Sequence, residues 1–230
     1  MLANDFDGEA EVGGLFVAPA ARRLSLGGLV ARSRYLFIAQ HRSWFGKRVI
    51  AELRGWQDAE GRSPVWDAIG RHFYDMTLEE ADRFGSVRGN QFIADLGPRH
   101  PIYTSLLSAA ARQSLGRPHD DGRGALAMLL KEGFQDQGYV DIFDGGPTPV
   151  AAIDELSTVR HSRVARFAGS CHEASQAALV AVGRGVAFRV LQTPIEIQDH
   201  DVLLPENAAR ALSLDVGEEV RWCPSESRPR

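Results

Sequence analysis

LFVAPAARRLSLGGLVARSRYLF, residues 15–37, joins a predicted strand to a predicted helix through a short turn. Glu11 to Val17 is typical of a short strand, which ends near Pro19 because proline cannot donate to a ladder. Leu26 to Gln40 carries apolar residues at helical spacing along one face. Arg22 to Gly27 forms the connection, so the segment predicts a strand–turn–helix unit.

The turn between this strand and helix is suited to binding an anion. Small residues let backbone N–H groups approach a phosphate, and the amino terminus of a helix adds positive potential. Four arginines, Arg22, Arg23, Arg32 and Arg34, supply charge to neutralise the diphosphate or 3′-phosphate of coenzyme A. The spacing follows the R-x-x-G-x-G/A pattern of the GCN5-related acyltransferases, with Ser25 where glycine is usual. Taken alone, the segment supports a coenzyme A site and a solvated, arginine-rich helix start about equally.

Strands and helices alternate through the rest of the first 150 residues. The predicted strands are Arg48 to Leu53, Gln91 to Leu96 and Tyr139 to Phe143. The predicted helices begin at Ser63-Pro64 and Thr77 and span Tyr103 to Leu115 and Ala125 to Glu132. This alternation favours an α/β architecture in which helices flank a mixed sheet.

The pattern changes after about Pro149, where strands dominate. The predicted strands are Ala177 to Val182, Val186 to Leu191 and Glu218 to Trp222, with a short helix at Leu204 to Leu212. We therefore expect two domains, residues 1–150 and a small β-rich subdomain of residues 151–230. Ser225 to Arg230 are expected to fray.

Composition favours a cytoplasmic globular protein. The formal net charge of −4 provides no basic field for nucleic acid or an anionic membrane. Cys171 and Cys223 lack a C-x-x-C partner, which favours reduced thiols over a disulfide framework or a zinc site. No apolar run reaches the ~18–20 residues of a membrane span, and the acidic amino terminus is unlike a signal peptide. No histidine pair has a metal-ligand spacing, so we expect no metal. From the net charge and the lack of a long apolar run, we also expect no nucleic-acid or membrane partner.

His119 is the candidate for proton transfer, in the loop Gly116-Arg-Pro-His-Asp-Asp121. Acyl transfer from a thioester to an amine needs a base for the attacking ammonium and an acid for the leaving thiolate. The two neighbouring carboxylates favour a protonated imidazole. On spacing alone, however, a surface histidine in a polar turn is the more frequent case. Asp141 and Asp144, beside a Gly-Gly turn, either pair with a guanidinium or cap the turn.

Several segments in order resemble the bacterial arginine N-succinyltransferases. The matching stretches are Arg32 to Ala39, Val49 to Gly55, Ser63 to Phe73, Phe92 to Leu96, Pro98 to Tyr103, Leu115 to His119, Glu132 to Phe134 and Gly138 to Thr148. Together they cover the chain from about Glu11 to Arg163, which is far more specific than any single motif.

The resemblance implies transfer of succinyl from succinyl-CoA to the α-amino group of L-arginine, on a GCN5-related acyltransferase fold. Succinyl-CoA is then a co-substrate, and no tightly bound cofactor is expected. Leu15 falls at the position of the family's succinyl-CoA-binding leucine, and His119 at that of its proton donor. The predicted succinyl-CoA-binding residues are Leu15, Val17, Arg22, Ser25, Gly27 and Gly28.

Three departures from the family pattern leave alternatives open. Family members carry a substantial segment before the strand at Glu11, Ser25 replaces a glycine, and no proline follows His119. The first departure allows an incomplete or partner-dependent subunit without activity of its own. We therefore expect either a homo-oligomer or a companion chain that supplies the missing strands. A third alternative is an acyltransferase for another amine such as ornithine.

Overall fold

A computed structural model describes residues 1–24 and 26–225, which contain eight α-helices and eight strands. The helices are α1 (Leu26–Gln40), α2 (Arg71–Tyr74), α3 (Leu78–Arg88), α4 (Gln91–Leu96), α5 (Ala109–Ser114), α6 (Arg123–Glu132), α7 (Ser157–His161) and α8 (Glu206–Leu212). The strands are β1 (Ala10–Glu11), β2 (Arg48–Ile50), β3 (Val150–Ala152), β4 (Arg163–Cys171), β5 (Gln176–Val182), β6 (Arg189–Gln198), β7 (Asp201–Pro205) and β8 (Glu219–Pro224). No helix in these two ranges is both long and apolar enough to cross a membrane.

The chain forms two compact units that alternate along the sequence. The first consists of residues 1–11, 49–130 and 134–150. The second consists of residues 12–48, 131–133 and 151–230. The predicted domains, residues 1–150 and 151–230, are each continuous, whereas the second compact unit also takes in residues 12–48.

The first unit contains a short ladder that extends beyond β2. The strand β1 runs parallel to β2. After β2 ends, the N–H groups of Ala51 and Leu53 donate to the carbonyls of Pro149 and Pro147 at 3.1 and 3.2 Å. Every second residue of this extended segment therefore pairs with the residues that lead into β3, as in an antiparallel ladder.

A tight crossing holds this segment against the Gly-Gly turn. The buried carboxylate of Asp144 accepts hydrogen bonds from the N–H groups of Gly55 and Gly146, at 2.8 and 2.9 Å. A β-carbon on Gly146 would lie 1.9 Å from the carbonyl oxygen of Leu53, and one on Gly55 would lie 2.4 Å from that of Asp144. Only glycine fits at these two positions, because the backbones are in direct contact.

An aromatic core supports the same turn from the other side of the first unit. The indole of Trp66 stacks on Tyr74 at 5.3 Å and on Phe143 at 5.6 Å, measured between ring centroids. Phe92 meets Tyr74 edge-on at 5.5 Å. The indole N–H of Trp66 donates to the carbonyl of Met76 at 2.9 Å, so this buried ring has its polar group satisfied.

Several local helix signals are confirmed. The Thr77 hydroxyl accepts from the N–H of Glu80 at 3.2 Å, and the Glu80 carboxylate accepts from the N–H of Thr77 at 2.8 Å, which forms the predicted capping box. The hydroxyl of Ser63 accepts a hydrogen bond from the N–H of Trp66, at the start of the helix predicted to begin at Ser63-Pro64. The helix α6 ends before Gly133, whose φ of 117° suits glycine.

Other predictions in the first unit are wrong. Gln91 to Leu96 is the helix α4, not a strand, and Phe92 and Ile93 turn toward the aromatic core. Six residues are too few to separate a period of 2 from one of 3.6. Tyr139 to Phe143 makes one isolated bridge, between Val140 and Pro147, because Asp141 bends the chain into a turn.

Two predicted elements are shorter than expected. Glu11 to Val17 contributes only Glu11 to β1, and residues 12–18 have no regular secondary structure. Tyr103 to Leu115 divides into a 3-10 turn, Thr104–Leu106, and α5. The division occurs because Ser108 caps α5 by accepting from the N–H of Ala111 at 3.2 Å.

The second unit contains a closed five-stranded barrel in the order β4-β7-β6-β5-β8. The strands β4 and β7 are parallel, and the other pairs are antiparallel. The β-rich carboxyl-terminal region is thus confirmed. Its β4 was not anticipated, β6 begins at Arg189 rather than Val186, and the Gly185–Ala187 segment is a 3-10 turn. The expected fraying concerns residues 226–230, which lie outside the described residues, and Ser225.

The helix α1 is fastened to β8 by Arg32. Its guanidinium donates to the Pro224 carbonyl at 2.8 Å, the Thr158 hydroxyl at 3.0 Å and the Cys223 sulfur at 3.3 Å, and also to the Ser225 carbonyl. Arg32 therefore holds the second unit together, which differs from its predicted role as a phosphate ligand.

The crossing at Gly146 gives a stability prediction. We expect Gly146→Ala to lower the free energy of unfolding by at least about 1–3 kcal/mol, because the new methyl group overpacks against the Leu53 carbonyl. Gly124→Ala, in α6 with no atom within 4 Å of the new β-carbon, is the control and should be neutral or stabilising by up to about 1 kcal/mol. Urea unfolding followed by circular dichroism measures both. Equal midpoints for the two variants would contradict the contact.

Candidate functional site

The loop of His119 is bonded to the extended segment that follows β2. The N–H of His119 donates to the carbonyl of Arg54 at 2.8 Å, and the N–H of Trp56 donates to the carbonyl of Arg117 at 2.9 Å. The Arg117 guanidinium also lies 4.5 Å from the centroid of the Trp56 ring, a cation–π contact. These contacts fix the backbone of His119 through its neighbours on both sides.

The imidazole of His119 is oriented by its own turn. Its Nδ1 accepts a hydrogen bond from the N–H of Asp121 at 3.2 Å, and the Asp121 carboxylate lies 3.7 Å from the same nitrogen. The other flanking carboxylate, Asp120, pairs with Arg123 at 2.6 Å. Because Nδ1 acts as acceptor, the proton of the neutral ring lies on Nε2. The side chain is 26% exposed, so Nε2 is available to donate.

A cavity of about 650 Å³ opens in the first unit beside this segment. It is lined by Glu52, Leu53, Arg54, Gln57, Glu60, Gly61, Leu78, Glu79, Asp82, Asp141, Phe143 and Asp144. Among these described residues, six are acidic and Arg54 is the only basic one. The cavity therefore suits a positively charged ligand with the volume of a small molecule.

Two carboxyl groups of the cavity have strongly altered acidity. Desolvation in the cavity wall, together with the charges of Asp141, Glu11 and Asp144, raises the pKa of Glu52 to about 7, although the residue keeps contact with solvent. Burial and the charge of Asp144 raise the pKa of Asp141 as well. The physical causes are, first, that a carboxylate loses hydration at the cavity wall and, second, that neighbouring negative charges disfavour its ionised form.

Asp141 and Asp144 both act as turn caps, the second of the two interpretations considered for them. Asp141 accepts from the N–H groups of Phe143 and Asp144 at 2.8 and 3.1 Å. Asp144 accepts from Gly55 and Gly146. No guanidinium contacts either carboxylate among the described residues.

The predicted succinyl-CoA residues belong to the second unit, whereas His119 belongs to the first. Leu15 and Val17 are half-buried in an irregular extended segment. The Arg34 guanidinium donates to the Gly13 carbonyl at 3.1 Å and so attaches this segment to α1. No described atom lies within 4 Å of a β-carbon placed on Gly28.

The remaining residues of the predicted set lie at the start of α1. A β-carbon on Gly27 would meet only a methyl group of Val17, at 3.8 Å. The backbone of Arg22 lies in the 3-10 turn Pro19–Leu24, and Ser25 lies outside the described residues. The two glycines thus leave space for an anion at the amino terminus of α1.

No local sequence pattern marks Glu52 as a functional residue. It lies just after the apolar residues of β2, where a single acidic residue is an ordinary end of a strand. Its neighbours Glu11, Asp141 and Asp144 are distant in sequence, so no local spacing reveals the group. In residues 1–24 and 26–225, no three His, Cys, Asp or Glu side chains are grouped to hold a metal ion. The absence of a metal from the reaction stays a prediction.

Comparison with protein-family profiles gives two matches along the chain. The profile described as "Arginine N-succinyltransferase beta subunit" matches residues 1–158. A second profile, for the C-terminal domain of the same beta subunit, matches residues 163–224. The two profiles together cover nearly the entire chain.

Individual relatives agree with these profiles. The chain is 39% identical over 230 residues to arginine N-succinyltransferase subunit beta of Pseudomonas aeruginosa, covering 100% of this chain and 68% of that protein. It is 40% identical over 224 residues to arginine N-succinyltransferase of Yersinia enterocolitica, covering 96% and 65%. The solved arginine/ornithine succinyltransferase subunit AI of P. aeruginosa is similar with a TM-score of 0.79 and 31% identity, over 92% of this chain and 61% of that one. The chain spans about two thirds of the length of the relatives it matches.

The raised pKa of Glu52 predicts how stability depends on pH. A carboxyl group with a higher pKa in the folded protein stabilises it below the ordinary value, and that stability is lost as pH rises through about 7. We expect Glu52→Gln, which stays neutral, to have a higher free energy of unfolding than the parent chain at pH 8 and an equal one at pH 4. Urea titrations at both pH values measure the difference. Glu173→Gln, at an exposed position, is the control and should show no such dependence.

Proposed function

Because the chain belongs to the arginine N-succinyltransferase beta-subunit family, we propose that it transfers the succinyl group of succinyl-CoA to the α-amino group of L-arginine. The observation that carries the proposal is the geometry of His119. Its Nδ1 faces the backbone N–H and the carboxylate of Asp121, so its Nε2 is the nitrogen left to donate a proton when the ring is an imidazolium. That is the function expected of the histidine at this position of the family's motif.

The proposed chemistry is a direct attack without a covalent enzyme intermediate. The α-ammonium group first loses a proton, and the resulting amine attacks the thioester carbonyl. As the carbon–sulfur bond breaks, the coenzyme A thiolate takes the Nε2 proton of the His119 imidazolium, whose Nδ1 proton faces the Asp121 carboxylate, and a neutral imidazole is left. The nitrogen releases its second proton to solvent as the amide forms, and a proton from solvent restores the imidazolium.

We assign the succinyl-CoA to the segment from Leu15 to Gly28. Backbone groups near Leu15 pair with the pantetheine arm, and Arg22, Ser25 and the glycines bind the diphosphate. Support comes from the 15 residues of α1, whose amino terminus attracts anions, and from the open space at Gly28. The proposal includes a GCN5-related fold, with succinyl-CoA as co-substrate and no tightly bound cofactor.

A companion chain is part of this proposal. The P. aeruginosa relatives are named as subunits, beta and AI. We propose that a second chain completes the enzyme. We place the reaction in the cytoplasm, where the two free cysteines stay reduced.

Ornithine is a second candidate acceptor. The name of the solved relative includes both arginine and ornithine. The two amino acids share the α-amino group and differ in the cation at the end of the side chain. Comparing kcat/KM for L-arginine and L-ornithine decides between them, and we expect the larger value for L-arginine.

Substitution of His119 tests the acid. We expect His119→Ala to lower the rate of thiol release from succinyl-CoA with L-arginine by about 10²- to 10⁴-fold, because the thiolate then leaves without a proton. A thiol-trapping dye gives the rate. His72→Ala, at an exposed histidine of the same unit, is the matched control and should keep the parent rate. No thiol release by the folded parent chain, either alone or with its companion subunit, or an unaffected His119→Ala, overturns the proposal.

Substitution of Gly28 tests the succinyl-CoA segment. We expect Gly28→Ala to fold normally, since its methyl group meets no atom of the residues that the structure describes, but to crowd the diphosphate. Loss of one hydrogen bond to a charged group, about 1.5–3 kcal/mol, raises the KM for succinyl-CoA about tenfold or more. Steady-state kinetics with Gly124→Ala as control measures this change. An unchanged KM would place the diphosphate elsewhere.

A further inference from the structure

The proposed reaction needs a second proton-transfer group. An α-amino group is largely an ammonium ion at neutral pH, and the ammonium cannot attack a carbonyl. His119 cannot remove that proton while its own Nε2 proton is reserved for the thiolate. A base must therefore stand near the acceptor, and the inference that follows rests on the proposed function.

Glu52 and His119 are attached to the same extended segment of the first unit. The carbonyl of Arg54 accepts the N–H of His119, and Glu52 precedes Arg54 by two residues. Two residues of extended chain span about 7 Å. The side chain of Glu52 also lines the cavity, so the cavity wall and the His119 loop share one backbone support.

The cavity fits a cationic amino acid in volume and in charge. Its volume of about 650 Å³ is within the usual range for small-molecule sites, about 300–1,000 Å³. Arg54 supplies a positive charge to meet the α-carboxylate of an amino acid, while the acidic lining attracts its cations.

Glu52 differs from the other carboxylates at the base of this cavity. The Asp144 carboxylate accepts hydrogen bonds from the N–H groups of Gly55 and Gly146, and the Asp141 carboxylate accepts from those of Phe143 and Asp144. The carboxyl group of Glu52 receives no hydrogen bond and no ion pair from the described residues. It is therefore free to contact a ligand without breaking the turn.

We propose that Glu52 is the catalytic base that removes a proton from the α-ammonium group of the acceptor amino acid. An oxygen of Glu52 forms the new O–H bond, the N–H bond breaks, and its electron pair stays on nitrogen and then attacks the thioester carbonyl. After the product leaves, the neutral carboxyl group releases the proton to water. The charged groups that act on Glu52 are Glu11, Asp141 and Asp144, and the cavity is lined as well by Arg54, Glu60, Glu79 and Asp82.

The acidity of the group supports this role. A base with a pKa near the working pH is ionised in a large share of molecules and still holds a proton well. The Glu52 pKa of about 7 meets this condition. We therefore expect kcat/KM for L-arginine to fall below about pH 7, where Glu52 becomes protonated.

The first test is kinetic. Glu52→Gln should lower kcat/KM for L-arginine by about 10²- to 10⁴-fold near pH 7 and abolish the inflection near pH 7. The variant should recover as pH rises, because solvent then deprotonates the free amine. Glu52→Asp, which keeps a carboxylate, should retain the acid limb. Glu173→Gln is the matched control and should keep both rate and profile.

The second test separates this inference from the proposed function. If the parent chain, alone or with its companion subunit, releases no thiol with L-arginine, the proposed function fails, and calorimetric titration with L-arginine still tests Glu52. We expect the parent chain and Glu173→Gln to bind L-arginine, and Glu52→Gln to bind it at least tenfold more weakly. Equal binding by all three, no binding by the parent chain, or an active Glu52→Gln with an unchanged pH profile overturns the inference.

Discussion

The first unit depends on the crossing of two backbone segments at Asp144. Its buried carboxylate accepts hydrogen bonds from Gly55 and Gly146, which offset much of the cost of removing a charge from water. The adjacent carbonyl of Gly145 accepts the N–H of Gly116 at 2.8 Å, where the loop of His119 begins. One crossing therefore fixes both the cavity wall and the proposed acid, because the two glycines let the backbones touch.

The acidic cavity contains carboxyl groups whose raised pKa values lower the stability of the fold at neutral pH. Glu52 and Asp141 lie beside Asp144, and each pKa is raised first by desolvation and then by the neighbouring negative charges. Such an arrangement lowers the stability of the folded state at neutral pH, so a contribution to stability does not explain it. Perturbed acidity in a cavity is typical of sites that bind or transfer protons. Desolvation and the neighbouring charges together bring the pKa of Glu52 to about 7, where a base can act near neutral pH.

The second unit is organised by a different interaction, the guanidinium of Arg32. Its contacts with Thr158 and with the end of β8 hold α1 against the barrel. Glu132 completes the group by accepting from the N–H and the hydroxyl of Thr158 at 2.6 and 3.0 Å. The buried side chains of Thr158 and Glu132 are thereby satisfied, and no described atom lies within 4 Å of a β-carbon placed on Gly28.

The sequence by itself determined the features that depend on near neighbours. It predicted the Thr77 capping box, the end of α6 at Gly133, the turn after Asp144 and, by ordered resemblance, the family. It failed for Gln91 to Leu96 and for the environment of Glu52. Only the tertiary structure decided these two features. The conformation of a six-residue segment depends on the core against which it packs, and the pKa of a carboxyl group depends on burial and on charges that are distant in sequence.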